Sequence, residues 1–313
     1  MSRPGNNGAV GPVQRGMPGT TRRFLAVVAA AAALVLLAAC GDDDAGGPGG
    51  SAPSTTVPST EPPTAAQAVL RLEVSGGFTT VERAFSTLPW LTVLDDGTAI
   101  TPAPVAAIYP GPLLLPVTAR TLDPDGLAAL FERVRASGLV DGAVDFGQPG
   151  IVDAPTTTLT VDGDGITTTL AAAALGEAVD DPLLTPEQRD ARARFAALVE
   201  ALGDLEALAG PGHLGPEEPY VPDALWLRTL PAHDVPEGPT PPGGEPEPTV
   251  VVWPVPTIDL AAFEQATRLE GAEAEAVRAV LVEADELTRF EQDGAVFQVL
   301  ARVALPGDPT PGG

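Results

Sequence analysis

Between residues 70 and 303 apolar and polar positions alternate in short bursts, each closed by glycine, proline or aspartate. Leu70, Leu72 and Val74 interleave with Arg71 and Glu73, the pattern of a half-buried strand, and Gly76-Gly77 ends it. Residues 91–94 and 98–101 flank Asp95-Asp96-Gly97 and read as a hairpin. Residues 102–116 carry too many prolines for a central strand and are expected as an extended loop or an edge. A second hairpin joins 156–161 to 166–171 through Asp162-Gly163-Asp164-Gly165. A third turns at Asp293-Gly294 into Ala295, Phe297, Val299, Ala301 and Val303, which fall at alternate positions. Shorter strands are expected at 224–230 and 267–269.

Elsewhere the period lengthens to that of a helix. Asp123 is placed to cap one, Pro124 suits its first position, and Leu127, Leu130, Phe131 and Val134 share a face that Gly138 closes. Thr185-Pro186-Glu187-Gln188 is a capping box opening a helix that buries Ala191, Phe195, Leu198 and Leu202. Val277, Val280, Leu281 and Ala284 line a third. Hairpins interrupted by helices predict the α+β class, antiparallel sheets with helices packed on one face, after a disordered tether. Punctuation at 210–222 divides this part into an α+β unit over 67–209 and a smaller α+β unit over 220–305, forming one domain or two. A Pro/Gly/Glu loop is expected at 235–248 and a disordered tail at 306–313.

The first 66 residues obey a different logic. Residues 1–23 are polar, carry only positive charge and end in Thr21-Arg22-Arg23; an uncharged run of 16 residues, 24–39, comes next. A positive segment, a short apolar one and small residues before a cut site describe a secretory signal peptide, 1–39. The run falls short of the roughly 20 residues a spanning helix needs. Leu37-Ala38-Ala39-Cys40 resembles the lipobox of bacterial lipoproteins, a branched apolar residue and two small ones before the modified cysteine. That resemblance implies a diacylglyceryl group on the Cys40 sulfur, and signal-peptidase recognition through Leu37, Ala38 and Ala39 with cleavage after Ala39. It further implies anchoring to the extracytoplasmic face of the cell membrane. Two or three acyl chains hold stably where one does not, at about 0.8 kcal/mol per buried methylene. Thr21-Arg22-Arg23-Phe24-Leu25 also resembles the twin-arginine pattern, with Phe and Leu one place early, so both general secretory and twin-arginine export stay open. Beyond Cys40, residues 40–66 are rich in Gly, Pro, Ser, Thr and acid, with little to bury, and are expected as a disordered tether reaching roughly 30 Å.

Composition sharpens this picture. All 17 basic residues are arginine, and four of them precede Cys40 whereas none of the 42 acids does. Cleavage there leaves 13 arginines against those 42 acids, a net charge of −29 where the whole chain has −25. Such a surface repels phosphate backbones and anionic headgroups, so no nucleic-acid partner is expected. A single cysteine excludes an internal disulfide and any multi-cysteine metal site. The stretches Leu70-Arg71-Leu72-Glu73-Val74-Ser75-Gly76-Gly77-Phe78 and Asp153-Ala154-Pro155-Thr156-Thr157-Thr158 are similar to a set of uncharacterised actinobacterial lipoproteins, a loose resemblance that implies no activity.

Candidate chemistry is sparse. His213 and His233 lie in Pro/Gly-rich segments without a nucleophile set beside them by motif, and read as solvent-exposed and non-catalytic. Asp123-Pro124-Asp125-Gly126 and Asp162-Gly163-Asp164-Gly165 offer hard oxygens for calcium but lack the full loop spacing, so they read as a helix cap and a turn. Thr156, Thr158, Thr160, Thr167 and Thr169 form the wet face of a hairpin. Trp90, Trp226 and Trp253 are expected in the core. No catalytic residue, metal or cofactor is assigned. The function expected is a non-enzymatic binding module of the cell envelope, whose partner is an envelope protein or a wall component. The alternative is a hydrolase built from a pair of the many carboxylates.

Overall fold

Glycine turns and side-chain helix caps, both written in the sequence, set the framework of the fold. The computed structural model describes residues 66–178, 180–232 and 247–311. The signal peptide, Leu37, Ala38, Ala39, Cys40, the tether up to residue 65 and His233 lie outside them.

The first strand, β1 (Ala68–Gly76), lies centrally between β2 (Leu91–Leu94) and β5 (Pro155–Gly163), antiparallel to both. From β2 the chain turns through Asp95-Asp96-Gly97 into β3 (Thr98–Pro102), then β4 (Val117–Thr121). Gly97 has φ +86°, and a side chain there would run into the Leu122 carbonyl oxygen, so the turn needs glycine on two counts. On the other flank, β5 turns into β6 (Ile166–Ala173) through Asp164 and Gly165, both at positive φ. A short strand, β7 (Glu218–Tyr220), pairs with the free edge of β4. The seven strands lie in the order β6-β5-β1-β2-β3-β4-β7.

Three helices cover one face of this sheet. Asp123 caps α2 (Pro124–Ala136), accepting from the Gly126 N–H. Thr185 and Gln188 close the expected capping box on α3 (Pro186–Gly203), and the short α4 (Leu205–Ala209) comes directly after it. Leu130, Phe131 and Val134 of α2 and Phe195, Leu198 and Leu202 of α3 meet Leu70, Leu72, Leu159, Val161 and Leu170 in one core. The expected α+β arrangement, antiparallel sheets with helices on one face, is the arrangement observed.

A second sheet is built from β8 (Ala224–Pro231), β9 (Thr249–Val252), β10 (Thr267–Glu270), β11 (Thr288–Gln292) and β12 (Ala295–Ala304). Its order is β10-β8-β12-β11-β9. Among the described strands only β9 and β11 pair in parallel, because β9 returns to β11 through a long connection containing β10 and α5 (Gly271–Leu281). Ala274, Val277 and Leu281 of α5 pack on Leu225, Leu227, Phe290, Val299, Ala301 and Val303. This core also takes Leu88, Leu94, Ile100, Leu114 and Val117 from before residue 210, and the described residues belong to one compact unit.

Several expectations need correcting. Residues 210–222, read as a boundary, supply β7 to the first sheet. The tail does not run free from residue 306. After β12 the chain turns, and the Asp308 side chain, 2% exposed, meets Arg71 of β1 and Arg302 of β12. Trp226 and Trp253 are buried as expected, but Trp90 is 52% exposed just ahead of β2. Finally, β12 does not leave its second face to water. Gln298, Leu300, Arg302 and Ala304 are as buried as the apolar set between them, because α1 (Val81–Ser86) lies over them with Phe85 against Leu300, Ala304 and Trp226.

Candidate functional site

The covered face of β12 is where a cleft forms. Thr80 caps α1 by accepting from the Arg83 N–H at 3.3 Å, which starts the helix at the cleft edge. Phe85 anchors it from beneath. The opposite wall is the proline-rich loop after β3. Leu113 N–H donates to the Ala284 carbonyl at 3.0 Å, and Glu286 N–H donates to the Gly111 carbonyl at 3.0 Å. The loop is thus clipped to the segment between α5 and β11, and its leucines face inward.

Between these walls lies a cleft of about 440 Å³, within the range usual for small-molecule sites. Leu113, Leu115, Leu287 and Leu300 give it apolar walls; Glu82, Arg83, Tyr109 and Glu286 also line it. One buried and one half-buried polar side chain come to it from the sheet. Arg289 of β11 and Gln298 of β12 are register partners, so they stand side by side on one face. Gln298 is 8% exposed, and its carbonyl oxygen is buried without a hydrogen-bond partner. Arg289 is half-buried; its Nη1 donates to the carbonyls of Glu286 at 3.0 Å and Thr288 at 3.2 Å. Its Nε and Nη2 have no acceptor among the described residues. Burial draws the Arg289 pKa below the ordinary arginine range, and Glu82, Tyr109 and Asp285 act against that. Another large hollow, about 470 Å³ between residues 138–145 and α3, opens broadly to solvent.

The residues singled out by sequence fall elsewhere. His213 is half-exposed, and its Nδ1 lies 3.0 Å from the Asp123 carboxylate, so it braces the cap of α2. Asp162 accepts from Thr167 Oγ1 at 3.0 Å and Asp164 pairs with Arg135 of α2, so both carboxylates are already engaged. Thr160, Thr167 and Thr169 are exposed or nearly so and Thr156 and Thr158 half-exposed, the wet face that alternation implies. Among the described residues, no three His, Cys, Asp or Glu side chains are grouped to hold a metal ion, and no helix is long and apolar enough to cross a membrane.

Arg289 and Gln298 escaped sequence reasoning. Gln298 sits at a polar position of an alternating strand, the ordinary mark of a wet face, and only α1 turns that face into a cleft. No protein-family model matches the chain, and neither a curated protein nor a solved structure matches it significantly.

Proposed function

We propose that this protein is a lipid-anchored binding module on the outer face of the cell membrane, held by Cys40 and acting by recognition. The observation that carries the anchor is Leu37-Ala38-Ala39-Cys40 behind an acid-free, arginine-bearing N-terminus. Recognition over turnover is supported by the two polar groups that the sheet brings to the cleft, a half-buried guanidinium and a buried amide, which suit holding a ligand and are themselves neither nucleophile nor general base. A partner confined to the same surface gains effective concentration from the tether, which a freely diffusing substrate does not require. The partner is an envelope protein or a wall component.

Metabolic labelling with a fatty acid is expected to mark the wild type and not Cys40→Ser, and in-cell crosslinking to recover an envelope partner less well from Cys40→Ser. Equal labelling of both ends the lipoprotein reading. A second reading, a carboxylate-based hydrolase, draws on Glu82 and Glu286 lining the same cleft. Turnover in a hydrolase screen that Glu82→Gln and Glu286→Gln each abolish would replace the first reading with this one.

A further inference from the structure

We propose that the cleft between α1, the 103–116 loop and β11–β12 binds a carboxylate attached to an apolar body, gripped by the free edge of Arg289. This rests on the reading of the protein as a binding module and names the chemistry of what that cleft takes.

The guanidinium geometry carries the argument. Arginine presents five N–H groups, and the Nε–Nη2 edge offers two parallel donors that match the two oxygens of a carboxylate. In Arg289 the Nη1 is committed to the Glu286 and Thr288 carbonyls, which fixes the plane of the group. The Nε–Nη2 edge keeps its donors, on the face of β11 that the cleft covers. Other buried or half-buried arginines use at least the Nη2 of that edge: Arg71 gives Nε and Nη2 to Glu73, whereas Arg192 gives Nη2 to two backbone carbonyls and Arg302 gives Nη2 to Asp308, each with its Nε left unpaired. In a chain with 42 acids, a half-buried fork that no described carboxylate reaches is poised for one from outside.

Two neighbouring features define the rest of the ligand. The Gln298 amide, buried beside the fork and without a partner for its oxygen, gives the head group a second polar contact once its amide rotates to suit. Leu113, Leu115, Leu287 and Leu300 then surround an apolar body of modest size. Glu82 and Glu286 also line the cleft and set a selectivity. Glu286 accepts from the Gly111 N–H at 3.4 Å, and neither glutamate forms an ion pair with Arg289, so a diffuse or multiply charged anion meets repulsion that a single carboxylate seated on the fork avoids.

The test uses calorimetric titration of the full chain carrying Cys40→Ser, which keeps acyl chains and detergent out of the cell. Octanoate is the probe, with octylamine and octanol as controls. One octanoate is expected per chain, with octylamine unbound and octanol at least tenfold weaker. Arg289→Gln is expected to weaken octanoate tenfold or more and leave octanol unchanged. Arg289→Lys, which keeps the charge and loses the fork, is expected to recover only part of the affinity. Thermal melts of both variants within a few degrees of the parent establish that the fold is intact. Octanoate binding no tighter than octanol, or undiminished in Arg289→Gln and Arg289→Lys, would overturn the proposal. Recovery of an envelope partner by crosslinking is read separately and decides the binding-module reading, so the two can fail independently.

Discussion

A single ion pair shows how the least conspicuous residues of this chain are employed. His213 lies against the carboxylate that caps α2, and each shifts the other. Hydrogen bonding to Asp123, then its charge, raises the His213 pKa above the ordinary 6.5. The Gly126 N–H, then His213, lowers that of Asp123 below 3.8. A raised histidine stabilises the fold below its unfolded pKa and loses that as pH rises through the folded value. A lowered aspartate stabilises above its unfolded pKa and loses that as pH falls through the folded value. The pair therefore contributes fully from above pH 3.8 to below 6.5 and fades on either side. Titration of the His213 ring by NMR is expected to give a value above 6.5 that returns to about 6.5 in Asp123→Asn, a substitution that keeps the cap. An unchanged titration would remove Asp123 as the cause.

Elements differ in how openly the sequence announces them. The start of α3 was legible to the residue, because Thr185 and Gln188 close a local box, and its buried face was legible because Ala191, Phe195, Leu198 and Leu202 repeat at helical spacing. The turns at Gly97, Gly165 and Gly294 were legible for the same reason, local chemistry deciding local shape. By contrast, β7 is three residues with a central proline, and β9 shows all four residues to solvent, so neither carries an alternation to read. The cleft was illegible for a longer-range reason. Its arginine and glutamine come from β11 and β12, its roof from α1 some 200 residues earlier, and nothing local in residues 80–87 says which strand they cover. That roof depends on one side chain. Phe85, 1% exposed, is the only buried residue of α1. Phe85→Ala is expected to cost about 3–5 kcal/mol in urea unfolding and to weaken octanoate binding with it. A loss under about 1 kcal/mol would show that α1 is held by something other than Phe85.

Across the whole molecule the two sheets are tied where the chain leaves β12. Asp308 receives Arg71 from the first sheet and Arg302 from the second, with the Leu305 N–H at 3.0 Å and the Arg302 Nη2 at 3.2 Å. Arg302 also reaches back to the Thr87 carbonyl at 2.9 Å, just past α1. Burial lowers the Arg302 pKa and Asp308 restores part of it, the balance expected of a cation kept inside only by its partner. Asp308→Ala leaves two buried guanidinium groups without that carboxylate and is expected to cost about 3–5 kcal/mol. Urea denaturation measures it, and a cost near zero would mean that Glu73 alone suffices for Arg71 and the Thr87 carbonyl for Arg302.

The same carboxylate sets a timetable. Arg71 and Asp308 are 237 residues apart, nearly the full extent of the folded part. At a synthesis rate of about 5–20 residues per second, Arg71 and its neighbour Glu73 emerge roughly ten to fifty seconds before Asp308 exists. During that interval Glu73 is the only one of the two carboxylates paired with Arg71 that has been made. The turn after β12 therefore completes the surroundings of a strand made near the start of the folded part, and that strand's arginine has its full set of partners only once residue 308 is made.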